Sequence, residues 1–65
     1  MENKVKEYRI KRGMFISELA RRAKTSRQTI HAIEKGERKS IDGQLMFRIA
    51  DALEADERDI FLKIS

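Results

Sequence analysis

The sequence predicts an all-α domain, a compact bundle of about five short helices. Three observations carry that expectation. Apolar residues recur at spacings of three and four in segment after segment, the period of a helix with one buried face. Proline is absent, so no helix interior is interrupted and a sandwich of many tight turns is disfavoured. Hydrophobic and charged residues each make up 40% of the 65 residues, a balance that suits a small globule better than a disordered tail. A chain of this length forms one domain, 1–65, near the lower limit for a core without disulfide or metal support. With no cysteine, a disulfide scaffold, a thiolate zinc site and a cysteine nucleophile are excluded together.

The elements follow in order. In segment 2–12, Val5, Tyr8 and Arg12 share a face, and Gly13 ends the first helix. In the second, Leu19, Ala20 and Ala23 make a narrow stripe of mostly small residues, which lets another helix come close. A turn follows at Lys24-Thr25. The third helix, from Ser26 to Lys35, turns Ile30 and Ile33 to one side and Gln28, His31, Ala32 and Lys35 to the other, with Gly36 beyond its end. Residues 37–41 read as a loop. Asp42 caps a fourth helix with Leu45, Met46, Ile49, Ala50 and Leu53 on its apolar face, and Asp56 caps a fifth that buries Ile60, Phe61 and Ile64. Small residues in one helix, a tight turn and a following helix with a polar outer face make a helix-turn-helix at about 16–35. No repeat or linker is visible.

Charge divides sharply along the chain. Residues 1–40 hold twelve Lys and Arg against five Asp and Glu, a balance of +7, whereas residues 41–65 hold three against six, or −3. An even scatter would be an ordinary solvated surface. This division points instead to a polyanion facing the first two-thirds, nucleic acid being the obvious one. No segment sets bulky apolar residues opposite lysines as a membrane-surface helix does. The apolar runs, such as Leu45-Met46-Phe47 and Ile60-Phe61-Leu62, fall far short of the roughly 20 residues that span a bilayer. Residues 1–6 lack the hydrophobic stretch of a signal peptide behind them, so a cytoplasmic location without membrane contact is expected.

From Val5 to Phe61 the sequence resembles the phage repressor and Cro type of helix-turn-helix domain, the XRE family. The resemblance is carried by Val5-Lys6-Glu7-Tyr8-Arg9, Ser17-Glu18-Leu19-Ala20, Thr25-Ser26-Arg27-Gln28-Thr29-Ile30, Ile33-Glu34-Lys35-Gly36, Ile49-Ala50-Asp51-Ala52-Leu53 and Asp59-Ile60-Phe61. Each piece is weak alone; their order and spacing together are specific. It implies a lambda-repressor-like fold in which Leu19, Ala20, Ile30 and Ile33 form the core between the paired helices. It also implies that Arg9 and Glu34 form a charged pair tying the first helix to the end of the third. Three positions depart from the pattern. Phe15 stands where relatives have a capping Ser or Thr, Ile16 where they have a Gln that touches the DNA backbone, and Lys24 where the turn commonly has Gly. The lost cap costs about 0.5–2 kcal/mol unless Phe15 serves as a hydrophobic staple. Lys24 is strained if the turn needs a positive φ.

The site residues follow from the third helix. Arg27 and Gln28 stand at its start, the part that reaches deepest into a major groove. Arginine can hold guanine O6 and N7 with two hydrogen bonds, and glutamine adenine N6 and N7. Both have competing uses: Arg27 on phosphate, Gln28 in a capping box with Thr25. His31 and Ala32 lie one turn later as base contacts, the alternative being plain surface residues. Thr25, Ser26 and Thr29 offer hydroxyls to phosphate, and Lys35, Arg38 and Lys39 form a basic stretch just past the helix. The acidic group Asp56, Glu57 and Asp59 is better read as a helix start than as a metal site.

With one histidine, no glycine-rich phosphate loop and no nucleophile beside a base, the chain does not read as an enzyme, and no cofactor or metal is expected. The expected activity is that of a sequence-specific binder of double-stranded DNA, a transcriptional regulator and specifically a repressor on a palindromic operator. It would act as a homodimer through the C-terminal helices, region 42–65, with Phe61 and Ile64 reading equally as part of that contact or as the close of the monomer core. The alternative is an antitoxin or regulatory module whose main partner is a protein, with DNA binding secondary. Structured RNA is disfavoured by its narrow major groove and by the lack of an aromatic stacking platform.

Overall fold

The chemistry of the helix ends decides where each element starts and stops. The computed structural model describes residues 2–61, arranged as α1 (Val5–Lys11), α2 (Ile16–Arg22), α3 (Arg27–Glu34), α4 (Gly43–Ala52) and α5 (Glu57–Phe61). No strand occurs among the described residues.

The first helix starts later than its periodicity suggests. The Asn3 side-chain oxygen accepts the Val5 N–H at 3.0 Å, and the Lys4 N–H donates outward to the Ile60 carbonyl at 2.8 Å, so the chain is pinned before it can coil. Helices α3 and α4 begin with side-chain caps: Ser26 Oγ accepts from the Thr29 N–H and Asp42 Oδ1 from the Gln44 N–H. Asp56 accepts the Arg58 N–H at 2.8 Å at the start of α5. That bond first, and the Arg58 guanidinium second, hold the Asp56 carboxyl below the ordinary carboxylate range.

Helix α2 has no side-chain cap, because Phe15 sits at its N-cap position. The expected staple role for Phe15 does not hold: its side chain is 80% exposed. Met14 takes that place. It immediately precedes the N-cap and packs against the core cluster that contains Leu19, the partner a staple requires.

Four helices end in the same way. The residue after the C-cap adopts a left-handed backbone, its N–H returns to the carbonyl three residues back, and the next N–H returns to the carbonyl five back. This Schellman arrangement satisfies carbonyls that the helix itself leaves open. Glycine fills the left-handed position after α1 (Gly13, φ 70°) and after α3 (Gly36, φ 74°). After α2 and α4 the position holds Lys24 (φ 58°) and Glu54 (φ 55°), where a Cβ crowds the backbone.

The core is one cluster. Val5, Leu19, Ile30, Ile33, Ile49, Leu53 and Ile60 are fully buried, and the small residues Ala20, Ala23 and Ala50 let α2, α3 and α4 approach closely. Helix α2 packs chiefly on α3 and α4, α5 on α4, and α1 spans α3 and α5. Ile41 is buried as well, anchoring the end of the loop after α3. Phe61 is only 5% exposed, so it completes this core and offers no surface for a second chain. Ile64, expected beside it, lies outside the described residues.

The two strained positions give a direct test. Lys24→Gly and Glu54→Gly should each stabilise the fold by about 1 kcal/mol, the cost of an L-residue in the left-handed region. For a domain of this size that raises the thermal midpoint by about 4–8 °C, measurable by circular dichroism.

Candidate nucleic-acid interface

Helix α3 is held from three sides by polar groups that leave its outer flank open. Arg9 of α1 donates from Nε to Glu34 Oε2 at 2.6 Å and from a terminal guanidinium nitrogen to Oε1 at 3.2 Å. Its other terminal nitrogen donates to the Met14 carbonyl at 2.8 Å. Both side chains are largely buried, 11% and 4% exposed, so the pair fixes the last turn of α3 against α1. Asn3 adds a second tether, donating to the Ile33 carbonyl at 2.8 Å. At the other end, Arg48 of α4 donates from Nε to the carbonyl of Ala23, the residue closing α2, at 2.8 Å. The turn that launches α3 is thereby fixed to α4.

Asn3 and Arg48 are absent from the expectations set by the sequence. Asn3 has a local signal, an Asn two residues before the first helical residue, which is the pattern of a side chain turning back on the backbone. Arg48 has none, since its partner lies 25 residues away and is a carbonyl.

The expected site residues distribute as follows. Arg27, Gln28, His31 and Lys35 are exposed along α3 and its end, whereas Ala32 is half-buried and presents only part of its methyl group. The Thr25–Gln28 capping box does not form, because the cap is Ser26. The Gln28 side chain accordingly has no partner among the described residues. Ser26 Oγ accepts from the Thr29 N–H and donates to Thr29 Oγ1 at 2.9 Å. The Ser26 proton is thus engaged, and the proton free to leave this pair is that of Thr29. Thr25 is half-buried, while Arg38 and Lys39 are exposed in the loop beyond α3.

Eight residues at 1.5 Å each make α3 about 12 Å long, comparable to the roughly 12 Å width of a B-DNA major groove. Its buried side is Ile30 and Ile33, and its open side presents a guanidinium, an amide and an imidazole in succession. The helix-turn-helix family model matches residues 5–60, the span from the first residue of α1 to the penultimate residue of α5. The chain belongs to the Cro/XRE-type helix-turn-helix family. No curated protein matches the chain significantly. The family is one of DNA-binding transcription regulators. No helix among the described residues is long and apolar enough to cross a membrane.

The bracing of α3 is measurable. Glu34→Gln leaves the buried Arg9 guanidinium without its counter-charge and should cost about 3–5 kcal/mol in urea unfolding. The apolar double change Arg9→Met with Glu34→Leu should cost less than Glu34→Gln alone. Additive losses would mean that the two side chains act independently.

Proposed function

We propose that the protein is a sequence-specific binder of double-stranded DNA that represses transcription by occupying a palindromic operator as a homodimer. The observation that carries this reading is the open flank of α3. Arg27 and Gln28 stand exposed in its first turn, and neither is engaged by a hydrogen bond or ion pair within the described residues. An unengaged guanidinium and amide at a helix start are the two groups suited to paired hydrogen bonds with guanine and adenine edges. His31 and the exposed part of Ala32 extend the same flank by one turn.

Phosphate contacts surround this strip. Lys35, Arg38 and Lys39 supply charge past the C-terminal end, and the hydroxyls of Thr25 and Thr29 supply neutral donors near the N-terminal end. The Ser26 hydroxyl contributes through its cap, which orients the Thr29 proton. Lys24, exposed in the turn, adds another cation beside them. One such module buries only about 600–1,000 Å² on DNA, which favours two copies on half-sites about one helical turn apart. Repression by simple occupancy of the operator needs no group beyond these.

A second reading has Phe15 on its side. An aromatic ring exposed to 80% at the start of α2 is unused by the DNA reading and suits a protein partner. A Phe15→Ser variant that keeps duplex affinity but loses a co-purifying protein would support it.

Selection of bound duplexes from a random pool tests the main reading: a palindromic consensus is expected, and recovery of unrelated sequences overturns it. Arg27→Ala should relax preference at one base pair by about 1–3 kcal/mol. Lys39→Ala should weaken all duplexes alike and reduce the slope of log affinity against log salt by about one. Equal losses on every sequence for both variants would remove the base-reading role of Arg27.

A further inference from the structure

The two helices that close on a left-handed residue bearing a side chain treat that residue differently. At Glu54 the molecule itself supplies partners: the carbonyl accepts from Arg12 at 3.1 Å, and the carboxylate lies 3.7 Å from the same guanidinium. At Lys24 (φ 58°) the ammonium is exposed and has no hydrogen bond or ion pair among the described residues. The nearest carboxylate in sequence, Glu18, is bound to Arg22 at 2.8 Å. No contact of the side chain within the described residues offsets the strain at Lys24.

The strained peptide is gripped on both edges. Ala23 is fully buried, and α2 leaves its carbonyl without an intrahelical donor. Arg48 of α4 supplies one, donating from Nε at 2.8 Å. On the same peptide unit the Lys24 N–H donates back to the Arg21 carbonyl at 3.2 Å. A planar unit with its carbonyl turned to α4 and its N–H turned along α2 has one orientation, and the Lys24 side chain leaves it toward solvent.

We propose that Arg48 is a positioning residue for DNA binding. By holding the Ala23 carbonyl it keeps Lys24 in a backbone that lysine adopts at a cost, and that backbone sets the ammonium against a phosphate beside the start of α3. Lys24 is three residues before Arg27, so their Cα atoms lie within about 11 Å. The cation therefore stands next to the exposed guanidinium and amide of the first turn of α3, where the sugar-phosphate strand passes when those groups reach base edges. Fold stability is exchanged for affinity at this turn, a use of strain that belongs to binding sites.

The proposal rests on the reading of α3 as the DNA-facing helix and adds a contact and its support. Substitutions at position 24 separate charge from strain. Lys24→Arg keeps both and Lys24→Ala keeps the strain alone. Lys24→Gly and Lys24→Asn remove both, since glycine and asparagine accept a left-handed backbone. The thermal midpoint should rise for the last two only. Anisotropy titrations of a duplex recovered by the random-pool selection, from 50 to 200 mM salt, read the charge. The slope of log affinity against log salt should fall by about 0.9 for the three neutral variants and hold for Lys24→Arg. Over that fourfold range of salt the difference is about three- to fourfold in affinity. Arg58→Ala, which removes an exposed cation from α5, controls for net charge and should leave the slope unchanged.

A cycle with Arg48→Met tests the positioning role, at a temperature where circular dichroism shows that variant folded. Lys24→Ala should cost less than half as much slope with Arg48→Met present as without it, because the ammonium is no longer held. Arg48→Lys, which keeps the charge but replaces the planar donor, serves in the cycle if Arg48→Met does not fold. Equal costs in both backgrounds overturn the role of Arg48. A slope unchanged in the three neutral variants, or one that Arg58→Ala lowers equally, overturns the contact at Lys24. If Arg27 still selects its base pair in that case, the DNA reading stands without this proposal; a chain that binds no duplex strikes both.

Discussion

The fold of this protein turns on one guanidinium. Arg9 makes two bonds to Glu34 and one to the Met14 carbonyl, and so joins α1, the end of α3 and the segment that enters α2. Removing both charges from water is costly, and the pair by itself adds little net stability over well-packed apolar residues. Its value is orientation. An apolar contact can slide by an ångström, but a planar guanidinium bonded along two edges holds its partners in one arrangement. The last turn of α3 is therefore fixed in register, and the exposed side chains on its far flank inherit that register.

The other end of α3 is fixed by different means. Ser26 caps the helix, and Arg48 grips the carbonyl that closes α2. Between them lies Lys24, in a backbone conformation that lysine adopts at a cost. Glycine would relieve the strain but would also remove an exposed cation from the turn between α2 and α3. The same exchange is absent at Glu54, where the strained residue lies at the acidic end of the molecule. There its carbonyl accepts from Arg12 at 3.1 Å and its side chain lies 3.7 Å from the same guanidinium. Strain at both positions is held in place by pairs of backbone hydrogen bonds that any residue can make.

Much of this was legible in the sequence because the signals are local. The apolar stripes that place Leu19, Ile30, Ile33, Ile49 and Leu53 in the core repeat within one or two turns, and caps such as Asp42 sit beside the N–H they accept. The Arg9–Glu34 contact spans 25 residues, and it was legible only through resemblance to relatives. What the sequence hid has a common cause. Whether Phe15 or Met14 packs inward depends on the entry angle of α2, which is set by Arg9 holding the Met14 carbonyl. Whether Thr25 or Ser26 caps α3 depends on where the left-handed residue falls, which is set by the close of α2. Phe61 reads equally as core or as interface, and only the packing of α5 against α4 and α1 decides that it is core. Each of these is a one-residue question answered by a contact from elsewhere in the chain.

The division of charge acquires a physical meaning once the helices are placed. The cations of α2, α3 and the following loop lie in the part of the chain that carries the exposed flank of α3. The carboxylates Asp51, Glu54, Asp56, Glu57 and Asp59 gather on α4, α5 and the turn between them. A polyanion approaching this molecule meets a dipolar object and is drawn to one end while being repelled from the other. That polarity orients the protein at a distance, before any contact forms.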